Sequence, residues 1–135
     1  MISQLILSKM SREAVLAHVE SQSPLEACGL LAGENEQVEK VILVRNQAQS
    51  PVRFVMDPHE QLQAFDWIDA NGMELLGIFH SHPTGPETVS ATDIAEAAYE
   101  VVHVICSRVG GHWNLRGFWI ENGQYTEIPL IFIDV

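Results

Sequence analysis

The sequence predicts a mixed α/β (α+β) fold: a central β-sheet flanked by two or three helices, in a single domain spanning residues 1–135. Three observations predict it. Apolar residues make up 47 % and charged residues 19 %, enough apolar surface to offset the entropy of ordering. Strand-like apolar runs are interleaved with helical patterns along the chain. Turn residues are spread evenly, with no linker, internal repeat or low-complexity tract, and 135 residues suit one domain.

The elements follow in order. ISQLIL alternates apolar and polar residues and reads as a short strand. Ser8 or Ser11 caps a helix running to about Ser21, broken by Ser23-Pro24. ACGLLAG and EQVEKVILVRN read as paired strands joined by the polar turn Glu34-Asn35. Residues 53–56, RFVM, read as another short strand. Asp57-Pro58 offers an N-cap with proline at the first helical position. Leu62, Phe65 and Ile68 give the apolar pattern of that helix, and Asn71-Gly72 its stop. MELLGIFHSH reads as a buried central strand ended by Pro83, and TGPETV as a loop. Ser90-x-x-Asp93 opens a helix of about two turns. VVHVICS is a buried strand, and Gly110-Gly111 is a turn. NLRGFWI and Gln124 to Ile128 form a hairpin across Asn122-Gly123. LIFIDV reads as a last strand.

Composition removes several classes of function. Seven Lys+Arg against eighteen Asp+Glu leave a net charge of −11, which repels a phosphate backbone and an anionic membrane surface. No apolar run approaches the ~18 residues of a bilayer span. MISQLILSKM lacks the basic start and long apolar stretch of a signal peptide, so the expected location is the cytoplasm. Neither Cys28 nor Cys106 sits in a C-x-x-C, which excludes a thiolate zinc knuckle; both read as buried reduced thiols. Trp67, Trp113 and Trp119 read as core or hairpin packing, with a substrate groove as the other reading of Trp113. His18, His59, His103 and His112 read as structural or solvated. Nothing in the sequence sets an oligomeric state.

The chemistry gathers at His80-Ser81-His82, Ser90 and Asp93. Residues i and i+2 of a strand point to one face, so His80 and His82 present two imidazoles side by side. Two such nitrogens and one carboxylate make a three-ligand zinc site whose fourth position is left for water. Asp93 is a candidate carboxylate, because the loop after Pro83 is long enough to turn back. Each half also has a plain reading. An H-x-H occurs in strands that bind nothing, and Ser-x-x-Asp is an ordinary helix start.

Glu26, then His80-Ser81-His82, seven residues, Ser90, two residues and Asp93, resembles the JAMM motif of the MPN domain, the JAB1/MPN/Mov34 metalloproteases. EACGLLAG, GIFHSHPTGP and NLRGFWI extend the likeness nearly from end to end. The resemblance implies an MPN/JAB1-like (cytidine-deaminase-like) domain with one Zn²⁺ per chain. It assigns the zinc to His80, His82 and Asp93, proton transfer to Glu26 and oxyanion stabilisation to Ser90. Without it, Glu26 is one of thirteen glutamates. The resemblance further implies a metallopeptidase acting after the C-terminal Gly-Gly of a ubiquitin-like or sulfur-carrier protein. A metal-binding MPN scaffold without peptidase activity is the alternative. A zinc deaminase would need H-x-E with P-C-x-x-C, which is missing here.

Overall fold

The computed structural model describes residues 2–134. Among them lie eight strands and three helices: β1 Leu5–Ser8, α1 Lys9–Gln22, β2 Cys28–Glu34, β3 Gln37–Val44, α2 Pro58–Ala70, β4 Glu74–His82, α3 Ala91–Glu96, β5 Val102–Val109, β6 His112–Glu121, β7 Gln124–Ile128 and β8 Leu130–Ile133. The strands form one mixed sheet in the order β7-β6-β5-β4-β2-β3-β1-β8. None of the described helices is long and apolar enough to cross a membrane.

Local chemistry sets the helix ends. Ser8 accepts a hydrogen bond from Ser11 N and caps α1. Asp57 accepts from His59 N and Glu60 N with Pro58 at the start of α2. Gly72, at φ +66, turns the chain out of that helix. The β2–β3 turn uses Asn35 and Glu36, both at positive φ, which matches the twist of the strands it joins.

The helices cover the two faces of the sheet. Val15 and Val19 of α1 pack on Leu31, Phe79, Val104 and Cys106. Ala64 and Ile68 of α2 pack on Cys28, Leu30 and Ile78. The expected apolar pattern of α2 is corrected at Leu62, which is 60 % exposed, because the stripe that reaches the sheet runs through Ala64 and Ile68. Trp67 is also corrected: it lies exposed on α2, with the Lys40 ammonium 5.5 Å above its ring.

Residues 53–56 do not form a ladder strand. They make an isolated bridge, Asn46↔Met56, because the Asn46 side chain takes the Arg53 carbonyl and the Val55 N–H for itself. β8 ends at Ile133, and Val135 of the expected last strand lies outside the described residues. β4 holds a central place, antiparallel to β2 and parallel to β5. Opposite Leu31 and Ala32 its register jumps from Gly77 to Leu75, a bulge beyond which Ile78, His80 and His82 share one face.

Candidate metal centre

His80 and His82 project from the C-terminal end of β4 and are almost wholly buried. Their Nε2 atoms lie 3.0 Å apart. Asp93, in the first turn of α3, reaches both: Oδ1 is 3.1 Å from His80 Nε2 and Oδ2 is 3.2 Å from His82 Nε2. Tetrahedral zinc with ligands at 2.0–2.1 Å holds neighbouring donor atoms about 3.3 Å apart. The two imidazole nitrogens stand close to the spacing that one such ion imposes, with an Asp93 oxygen at a similar distance from each.

Supporting contacts aim these donors. The His82 Nδ1–H donates to the Pro86 carbonyl at 2.7 Å, which leaves Nε2 as the ring nitrogen that faces Asp93 and His80. Phe54 stacks on the His80 ring at 4.3 Å between centroids. His80 Nδ1 has no partner among the described residues. Burial lowers the pKa of His80. Burial opposes charge on His82 too, but Asp93 and the Pro86 carbonyl outweigh it and raise the pKa. Asp93 also loses water on burial, yet the two imidazoles and Ser90 N hold its carboxyl well below the usual carboxylate range.

Glu26 comes from the segment leading into β2. Its N–H donates to the Ser50 carbonyl at 2.8 Å, and its carbonyl accepts from Asn46 Nδ2 at 2.9 Å. Next to it, the Ala27 N–H donates to Ser81 Oγ at 2.8 Å. So the residue between the two histidines anchors the backbone that carries Glu26. A Glu26 carboxylate oxygen and one ring nitrogen from each histidine lie within 4.8 Å of one another. The carboxylate is buried, with Oε1 unpartnered among the described residues. Loss of water pushes its pKa up to about 8. Two carboxylates thus approach the histidine pair from different elements, Asp93 in direct contact and Glu26 farther back.

Ser90 is the N-cap of α3. Its Oγ accepts from Asp93 N at 3.0 Å while Ser90 N donates to Asp93 Oδ2 at 2.8 Å. A hydroxyl that accepts still has its O–H to donate. The structure thus brings His80, His82, Asp93, Ser90 and Glu26 to one end of β4.

The other candidates stand apart. Burial, with Glu26 and Glu60 nearby, pushes the Cys28 thiol up to about 12, which disqualifies it as a nucleophile. Trp113 hydrogen-bonds to Glu20 of α1 and packs against the α1-side core, on the opposite face from the histidines, so the groove reading of it falls. Sequence reasoning missed Asn46, whose four hydrogen bonds pass to residues far apart in the chain. It read His103 as structural or solvated and did not connect the buried row beside β4 to the site. His103 and Ser107 of β5 pair with Ile78 and His82, share their face, and keep His103 Nε2 and Ser107 Oγ unpartnered among the described residues.

The chain is similar to known proteins along most of its length. The family of prokaryotic homologs of the JAB domain matches residues 8–120. The chain is 41 % identical over 132 residues to the desampylase of Pyrococcus furiosus, covering 96 % of this chain and 91 % of that protein. It is 38 % identical over 122 residues to a probable TtuB-protein conjugate cleaving protease of Thermus thermophilus, covering 90 % and 78 % respectively. A JAB1/MPN domain protein from Archaeoglobus fulgidus shares the fold, with a TM-score of 0.60 at 19 % identity over 96 % of this chain and 100 % of the other.

Proposed function

The chain belongs to the prokaryotic JAB family, and we propose that it is a single-domain zinc metallopeptidase that hydrolyses the amide or isopeptide bond after the C-terminal Gly-Gly of a ubiquitin-like or sulfur-carrier protein. The observation that carries this reading is the pair of imidazole Nε2 atoms 3.0 Å apart, each met by a different oxygen of Asp93 at 3.1 and 3.2 Å, beside the unpartnered Glu26 oxygen. The donor set of two neutral imidazoles and a carboxylate suits zinc, with one ion per chain. The cytoplasm is the expected compartment, in keeping with the free, buried Cys28 and Cys106.

His80, His82 and Asp93 would hold the ion, and the Pro86 carbonyl keeps His82 in the tautomer that frees Nε2 for it. Zinc held there would supply a water acidic enough to attack near neutral pH and would polarise the scissile carbonyl. Glu26 takes the proton of the attacking water on its free oxygen and returns it to the leaving nitrogen. Burial disfavours its charged form, and a cation held by the neighbouring histidines would favour the carboxylate that accepts the proton. Ser90 donates its O–H to the developing oxyanion. The glycines of the tail let the substrate backbone come close to the ligands.

The test joins metal analysis to cleavage. Protein purified without chelator or histidine tag should hold about one zinc per chain, and His82→Ala should lose it. A matched pair of fusions presents Gly-Gly or Gly-Val before the scissile bond; only the first should be cut. Glu26→Gln should keep zinc and lose cleavage by about 10²-fold or more. A folded protein that stays metal-free in added zinc overturns the metal assignment. Equal cutting of both tails overturns the Gly-Gly reading. A Glu26→Gln variant as fast as wild type removes Glu26 as the base. A zinc-loaded wild type that cuts neither fusion overturns the Gly-Gly substrate and leaves the peptidase class standing.

A further inference from the structure

A cavity of about 280 Å³ opens beside the metal centre, with His80 and Asp93 in its wall. Its other walls are largely apolar: Phe54, Met56, Ile78, Ala97 and Tyr99. Drug-sized ligands occupy pockets of about 300–1,000 Å³, so this one suits a single side chain rather than a folded element. His103 also lines it, from the strand next to β4. That imidazole is only 5 % exposed, and its Nε2 has no partner among the described residues. The Tyr99 backbone hydrogen-bonds to the ring, and a carbonyl can only accept. The Nδ1–H is therefore the donor, and Nε2 is left as a bare acceptor. Burial keeps the ring neutral, with its pKa lowered to about 4.

A buried acceptor in a cavity with largely apolar walls has to be met by a donor when water leaves. Glu96 and Asp93 lie in the same wall, and Glu96 already engages Arg53 at 3.1 Å. A carboxylate entering the cavity would therefore meet two acids, an Arg53 already paired and no donor from His103, with the Gln61 amide and the Thr92 and Tyr99 hydroxyls in the lining able to donate to it.

We propose that this cavity receives the first residue on the leaving-group side of the scissile bond, and that His103 Nε2 selects there a side chain with an apolar stem and a hydrogen-bond donor at its end. This rests on the Gly-Gly reading above: glycines have no side chain to place, so a side-chain-sized cavity at the ligands serves the other half of the substrate. His103 is a specificity-determining residue in this scheme, with no part in bond breaking.

Glutamine and glutamate test it as a pair, since they share a shape and differ in the donor. Fusions carrying Gly-Gly-Gln or Gly-Gly-Glu at the cleavage point are offered to the zinc-loaded protein. The expected kcat/KM ratio favours glutamine by about tenfold or more, the cost of leaving a buried acceptor unpaired. His103→Leu should bring the ratio close to one, and His103→Gln, which keeps an acceptor, should restore part of the preference. Thermal midpoints of both variants check that the fold survives. A ratio near one in wild type, or a ratio unchanged in His103→Leu, overturns the proposal. A second arm does not depend on cleavage. Glutamine α-amide and glutamate α-amide, standing for the two leaving products, are titrated into the zinc-loaded protein and followed by NMR. Shifts at His103, Tyr99 and Phe54 with the first ligand only support the subsite, even if no fusion is cut and the Gly-Gly reading falls. No shift, or the same shift with both, overturns it.

Discussion

Replacing Asn46 by alanine should be among the most damaging single changes in the protein. Nδ2 donates to the carbonyls of Glu26 at 2.9 Å and Arg53 at 3.1 Å. Oδ1 accepts from Ala48 N and Val55 N, both at 3.0 Å. The residue is 9 % exposed, so water does not freely replace these bonds. Each is worth about 1 kcal/mol net, and more where the orphaned group stays buried. Four together give about 4 kcal/mol, a large share of the 5–15 kcal/mol by which domains are typically stable. For a chain of this size that corresponds to a fall in Tm of about 10–15 °C. Urea unfolding followed by circular dichroism measures it, and the slope with denaturant should stay constant while the midpoint drops. The change should also loosen the site, because Asn46 holds the Glu26 carbonyl and the segment that presents Phe54 to His80. A loss below about 1 kcal/mol would refute the reasoning, since it would mean that these four bonds are exchanged for water at no net cost.

His103 gives an acid-limb prediction. Burial lowers its pKa from 6.5 to about 4, so between those values the unfolded chain holds a proton that the folded chain sheds. Stability should fall as pH drops through that window, by up to about 3 kcal/mol, and His103→Leu should remove that share; superimposable acid limbs in the two proteins would contradict it. Burial pushes both Cys28 and Cys106 up to about 12, so iodoacetamide at pH 8 should label neither in the native protein and both in guanidinium. Rapid native labelling would show that the core opens there. Gly33→Ala would set a Cβ 1.9 Å from the Gln37 carbonyl oxygen, backbone that cannot swing aside. It should cost about 2 kcal/mol or more, and a variant within 0.5 kcal/mol of wild type, about the spread of neutral surface changes, would show that the β2–β3 turn yields easily.

What the sequence made legible was mostly local. The caps at Ser8, Asp57 and Ser90 act within three residues and could be read directly. The shared face of His80 and His82 follows from strand geometry alone, and their spacing to Ser90 and Asp93 carried the family resemblance. Glu26 was another matter: no local pattern marks it, and it reaches the histidines only because β2 and β4 pair, with Cys28 opposite His80. Asn46 was invisible for a similar reason, since its partners span residues 26 to 55. Residues 53–56 have strand-forming side chains, but a side-chain amide took the backbone groups that a ladder would have used. Trp67 and Leu62 were read as inward on hydrophobicity, whereas the side of α2 that meets the sheet is the one carrying Ala64 and Ile68.

The place of β1 in the sheet bears on how the protein is made. It lies between β3 and β8, touching β3 in register only at Ile6↔Gln37 and running parallel to β8 along its whole length. Residues 9–129 separate the two strands, a stretch of 121 residues. At about 5–20 residues per second, a ribosome needs roughly 6–24 s to synthesise that stretch. Throughout that time Leu5 and Leu7, both wholly buried in the finished fold, belong to a strand whose main partner does not yet exist. The nascent chain therefore carries an open apolar edge until β8 emerges, and slow translation between the two strands should cost yield rather than stability.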